Sequence, residues 1–123
     1  MKQSFLLARA AGAAALALMA ATAGAQQPAY PDKPLRILVG ASPGGGTDIL
    51  ARVLADKFAP VLKQPVTVEN RPGASNTIAG ELTARAAADG STLLLATNTA
   101  QAVAPHILKL KYDPLKDLQP IGL

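Results

Sequence analysis

The chain has 123 residues, a formal net charge of +4, no cysteine and one histidine. Half of its residues are apolar and only 3% are aromatic. These numbers exclude a disulfide scaffold, a histidine-built metal centre and more than one small domain. No basic cluster with interleaved aromatics appears, so nucleic acid is not an expected partner.

The N-terminus is organised as an export signal. Lys2 and Arg9 give a positive start, Ala10 to Ala23 is an alanine-rich apolar run, and Ala23-Gly24-Ala25 is an A-x-A cleavage pattern. The run is shorter than the roughly 20 apolar residues that a membrane span needs. Residues 1–25 are therefore read as a secretory signal peptide cleaved near Ala25, and the expected location is the periplasm. Without Lys2 and Arg9 the remainder carries 10 basic and 8 acidic side chains, too mild a balance to imply a polyanionic partner.

Leu35 to Val39 is a short apolar run ended by glycine, a buried strand. Thr47 to Lys63 reads as a helix. Its apolar stripe is Ile49, Leu50, Val53, Leu54, Phe58, Val61 and Leu62, with Asp48, Arg52 and Asp56 as a charge ladder on another face. Pro60 is expected to shorten or kink it. Val66 to Glu69 is a second strand, followed by the loop signal Asn70-Arg71-Pro72-Gly73. A second helix is expected over Thr77 to Ala88, with Ile78, Leu82 and Ala86 on one face and Glu81 paired to Arg85. Asp89-Gly90 ends it. Thr92 to Ala96 is a third strand. Ala100 to Leu108 is a short helix broken at Pro105, Tyr112-Asp113-Pro114 is a turn, and the final "DLQPIGL" reads as the start of a further strand.

This order is βαβαβ, with strands about 26 to 31 residues apart, which fits parallel strands joined by helical crossovers. The strands read as apolar throughout, as expected when helices cover both faces of a sheet. The fold class is thus α/β. Ligands of open α/β sheets bind beyond the C-terminal ends of the strands. Three segments leave those ends: Gly40 to Thr47, Asn70 to Asn76, and Thr97 to Gln101. All are rich in Gly, Ser, Thr and Asn.

Two chemistries compete for the first segment. Gly40-Ala41-Ser42-Pro43-Gly44 satisfies the G-x-S-x-G pattern of a serine hydrolase. Pro43 argues against it. The oxyanion hole of that elbow uses the N–H of the residue after the serine, and proline has none. The only candidate base is His106, read as a surface or packing residue. The P-loop and dinucleotide patterns are also absent, and Asp48 in the first turn would repel a polyphosphate. A small carboxylate fits better. Gly44-Gly45-Gly46 can present backbone N–H groups at a helix N-terminus, where the dipole favours an anion. Thr47 would be the N-cap. The same residues also suit a flexible turn with a capped helix. Composition leaves both open.

Longer stretches carry a resemblance. "YPDKPLR", "PGGGTD", "NRPGA", "DGSTL" and "YDPLKD" stand in order and at the spacing of the Bug family. The chain resembles these periplasmic solute-binding proteins of tripartite tricarboxylate transporters over nearly all of its length past residue 25. The resemblance implies a type II periplasmic-binding-protein fold of two α/β domains around a cleft. Residues 26–123 would be part of the first domain, with the second absent. It implies a small organic acid as ligand, membrane transporter subunits as partners, a monomer when full length, no cofactor, no metal and no catalysis.

Carried over position by position, the ligand contacts would be Ser42, Pro43, Gly44, Gly45, Thr47 and Asp48 from the first loop. The second loop would give Ala74, Ser75 and Asn76, and the third Thr97, Asn98 and Thr99. For Asp48, water or amine contact competes with helix capping. Arg71 is read as a brace of its loop through backbone carbonyls, with a carboxylate clamp as the competing role. This chain has "GASPGG" where the family often has P-F-P-P-G-G, "GASNT" for G-A-G-G-N, "ATNTA" for G-T-S-G and "DGST" for D-G-Y-T. These differences bear on which acid is bound. A ligand-binding accessory of a sensor system would use the same fold, and an exported serine hydrolase is the remaining rival.

Overall fold

A computed structural model describes residues 30–122. The signal-peptide reading falls on residues outside that range. Three parallel strands form one sheet: β1 (Leu35–Val39), β2 (Val66–Asn70) and β3 (Thr92–Leu95), in the order β2-β1-β3. Helix α1 (Gly46–Leu62) links β1 to β2, and α2 (Thr77–Ala84) precedes β3. A π-helical turn at Thr99–Val103 runs directly into the short α3 (Ala104–Ile107). The βαβαβ reading and the α/β class hold.

The register matters for the site. Val39 pairs with Asn70 on one side and with Leu95 on the other. The three strands therefore finish level, and the loops that leave them start from one edge.

The helix faces differ from the sequence expectation. The buried residues of α1 are Asp48, Ala51 and Ala55, while Ile49, Leu50, Val53, Phe58 and Val61 are exposed. The core joins Ala51 and Ala55 to Ile37 and Val39, with Ala41, Val66, Val68, Leu93 and Leu95 packed around them. Hydrophobicity put the large residues inside; close approach to the sheet selects the small ones. Alanine side chains let the helix backbone lie near the strands, and the i, i+3/i+4 spacing of Asp48, Ala51 and Ala55 is itself a helical stripe.

Helix α2 repeats the pattern. Thr77, Ala79 and Gly80 are buried, and Ile78 and Leu82 are exposed. A Cβ added at Gly80 would sit 2.2 Å from the Tyr112 hydroxyl, so this glycine is what lets the 108–112 segment close over the helix. The helix ends at Ala84, four residues earlier than expected. Ala86 N–H donates to Thr83 O in a tighter turn, and Thr83 Oγ1 donates back to Ala79 O. The Glu81–Arg85 pair forms as expected, at 2.8 Å.

Other expectations shift more modestly. Pro60 lies in the last turn of α1 without stopping it, and Lys63 at φ 53° ends the helix in left-handed geometry. Pro105 sits in the first turn of α3, directly after the π-helical turn, so the helical run passes through it rather than breaking there. Strand β2 is not apolar throughout: Thr67 is exposed and Glu69 half-buried, so the sheet is only partly covered. Residues 118–122 carry no regular structure.

Candidate functional site

At the first strand end, Gly40 leads into a turn in which Gly45 N–H donates to Ser42 O at 3.2 Å. Gly44 has φ 82°, a left-handed conformation that suits glycine. Helix α1 starts at Gly46 with Gly45 in the cap position, and no side chain caps it. Thr47 is thus the second helical residue and not the cap. The reason lies three residues into the helix, where Asp48 turns its carboxylate back toward the loop.

Asp48 is 2% exposed. Its Oδ2 accepts from Gly44 N–H at 2.9 Å and from Arg52 Nε at 3.0 Å. Its Oδ1 takes Asn70 Nδ2 at 2.9 Å and lies 3.0 Å from Arg52 Nη2. The arrangement is close to a capping box, with an acidic residue at the third helical position reaching back to a preceding amide. The Arg52 hydrogen bond, then the Gly44 amide and Asn70, hold the Asp48 carboxyl down to about 2. Asp48 thus braces the turn ahead of the helix through the Gly44 amide and leaves the first-turn amides of α1 uncapped.

Asn70 joins the first and second loops. Its Nδ2 also donates to Ala41 O at 3.0 Å, and its Oδ1 accepts from Arg52 Nη2 at 3.2 Å. Arg71 N–H continues the ladder to Val39 O at 2.7 Å. The Arg71 guanidinium pairs with Glu69, with Nε to Oε1 at 2.7 Å. It is therefore spent on a neighbouring side chain, neither bracing loop carbonyls nor standing free as a clamp.

The second loop contains a run of left-handed residues: Gly73 (φ 128°), Ala74 (φ 45°), Ser75 (φ 56°) and Asn76 (φ 70°). Left-handed geometry costs roughly 1–2 kcal/mol per non-glycine residue, least for Asn. Local hydrogen bonds hold it: Asn76 N–H to Gly73 O at 2.9 Å, and Thr77 Oγ1 to Ala74 O at 2.7 Å. Asn76 then reaches the third loop, donating from Nδ2 to Thr97 Oγ1 at 3.2 Å.

All three loops thus meet. Ser42, Pro43, Gly44, Ala74, Ser75, Asn98 and Thr99 are exposed, while Gly45, Thr47, Asn76 and Thr97 are half-buried. The amides of Gly44 and Gly45 are taken by Asp48 and Ser42, which corrects the expectation that they point outward. Gly46, Thr47 and Asp48 occupy the first helical turn, where N–H groups have no intrahelical partner. Free amides at a helix N-terminus favour an anion. Sequence reasoning missed Arg52 and Asn70 as site-forming residues. The Asp48–Arg52 spacing was a visible signal; the reach of Asn70 across the strand end was not.

Among the described residues, neither Ser42 Oγ nor the His106 ring makes a hydrogen bond, and no group of three metal-ligating side chains is present. No described helix is long and apolar enough to cross a membrane. A groove of about 320 Å³ touches the loop edge only through Ala74 and Thr77 before running down α2 to Tyr112.

A level parallel edge, a helix N-terminus whose first-turn N–H groups meet no capping side chain, and polar loops that touch one another are the features with which open α/β sheets hold ligands. A family model described as the tripartite tricarboxylate transporter family receptor matches residues 50–123. The chain belongs to that family, whose members are receptors and not enzymes. It is 41% identical over 116 residues to the BugT protein of Bordetella pertussis, covering 89% of this chain and 36% of that protein. Among solved structures, MatC of Rhodopseudomonas palustris with bound malate is 36% identical, with a TM-score of 0.67 over 72% of this chain and 30% of that one. The R. palustris protein Rpa4515 with adipate is 31% identical, with a TM-score of 0.67 over 70% and 29%. The fold is that of periplasmic binding proteins. The chain spans about a third of the length of the curated relatives it matches, 35% in the case of another B. pertussis protein.

Proposed function

We propose that this chain is part of a periplasmic solute-binding protein that captures a small organic acid and delivers it to a membrane transporter. The observation that carries the reading is the meeting of three polar loops at the end of β1, the strand that leads into the first turn of α1. Backbone N–H groups there favour a carboxylate through the helix dipole and their free hydrogen-bonding capacity. Malate in MatC and adipate in Rpa4515 support a dicarboxylate.

In this reading residues 1–25 direct export and are removed near Ala25. Residues 26–123 form part of the first domain, and a second domain closes over the ligand. Ser42, Pro43, Thr47, Ala74, Ser75, Asn76, Thr97, Asn98 and Thr99 line the first-domain side, and Gly44 and Gly45 shape it. No bond of the ligand is made or broken. Binding energy biases the closed state, which the transporter subunits would recognise. Calorimetry of the full-length protein against malate, adipate, citrate, acetate and aspartate tests it. Saturable binding of at least one acid supports the reading, and absence of binding across the panel refutes it.

A further inference from the structure

A negative charge three residues into a helix should weaken an anion site at that helix end. Asp48 is such a charge, and its surroundings cancel it. Arg52 places a guanidinium within 3.0 Å of both carboxylate oxygens, and Asn70 and Gly44 fill the remaining positions. The Asp48 side chain is 3% exposed. It therefore offers little to a ligand, yet it fixes the chain at two points. It holds Gly44 directly, and its partner Asn70 holds Ala41 O, so the turn between them is tied to the end of β2.

We propose that Asp48 is the positioning residue of this edge. Its carboxylate does not touch the ligand. With Asn70 and Arg52 it clamps the Gly40–Gly45 turn to β2, so that the amides of Gly46 and Thr47 stay open to an anion. This rests on the reading of the edge as a carboxylate site. It deepens that reading by removing the one acidic side chain of the loops as a partner for an amino group.

The test uses full-length, ¹⁵N-labelled protein and the Asp48→Asn variant, with malate and aspartate as probes below the melting temperature of both forms. The variant keeps the shape, loses the charge and sets an NH₂ group against one of the donors. Gly44 amide exchange should quicken about tenfold while β1 and β3 amides stay protected, as loss of a charge-assisted hydrogen bond implies. Affinity for malate and for aspartate should fall by a similar factor. Unchanged Gly44 exchange overturns the proposal, as does a lowered melting temperature with malate affinity intact. Selective loss of aspartate binding also overturns it, because that marks direct contact with the ammonium group. If the parent protein binds neither acid, the carboxylate reading fails, and the clamp is judged by Gly44 exchange alone: faster exchange in the variant supports it and unchanged exchange overturns it.

Discussion

Asn76 sits over Gly40 so closely that a Cβ added to Gly40 would lie 2.5 Å from the Asn76 Cβ. This contact presses the second loop against the end of β1, and the Asn76–Thr97 hydrogen bond carries it to the third. Gly40→Ala should therefore do more than destabilise. The clash includes Asn76 backbone atoms, which cannot rotate away. The expected cost is roughly 1–3 kcal/mol of stability, as for overpacking elsewhere. Amide shifts should spread over residues 73–77 and 97–99. A denaturant titration with an amide spectrum reads both. An unchanged midpoint would mean that the loops do not pack this way.

The alanine face of α1 gives a sharp contrast. Ala55→Leu should destabilise by roughly 1–3 kcal/mol, because it drives a larger side chain between helix and sheet. Val61→Ser, at a position 77% exposed in the described chain, should stay within about 0.5 kcal/mol. Equilibrium unfolding of the two variants distinguishes this orientation from one with the large residues inside, which requires the opposite order.

Tyr112 carries a buried hydroxyl with no hydrogen-bond partner among the described residues, wedged against Gly80. An unpaired buried polar group costs roughly 1–3 kcal/mol. Tyr112→Phe should thus be neutral or stabilising, which is uncommon for a buried tyrosine. A thermal melt checks it, and a clear loss of stability would show that the hydroxyl has a partner.

Acid should loosen the site. Asp48 is held down to about 2 from an ordinary 3.8, so the folded state binds its proton less readily than the unfolded chain does. Its contribution is fully present above about pH 4 and is lost as pH falls through 3.8 toward 2. Asp89 is lowered as well, by Lys33 and Ser91, and shares the effect. Melting temperature should fall below pH 4 in the parent protein and fall less steeply in Asp48→Asn. Parallel curves for the two proteins would contradict this.

Sequence made the three strands, their parallel direction and the three loops legible, because short apolar runs followed by small polar residues leave few alternatives; the sheet order β2-β1-β3 was not read from it. It misjudged which helix face is inside. Ala51 and Ala55 carry little hydrophobic signal, yet small size decides how near a helix can approach a sheet. It also put Thr47 at the cap. The true start of α1 follows from Asp48 reaching back to Gly44 and across to Asn70, a contact between residues 22 apart. The family motifs marked the three loops, while the hydrogen bonds of the Gly44 and Gly45 amides are not legible from residue type.

The most direct test of the central claim is a titration of ¹⁵N-labelled full-length protein with malate, followed through backbone amide shifts. The expected result is saturable shifts concentrated at Gly46, Thr47, Ser75 and 97–99, with β1 and the outer face of α1 unmoved. Saturable shifts centred elsewhere, or none at these loop residues, would contradict the account.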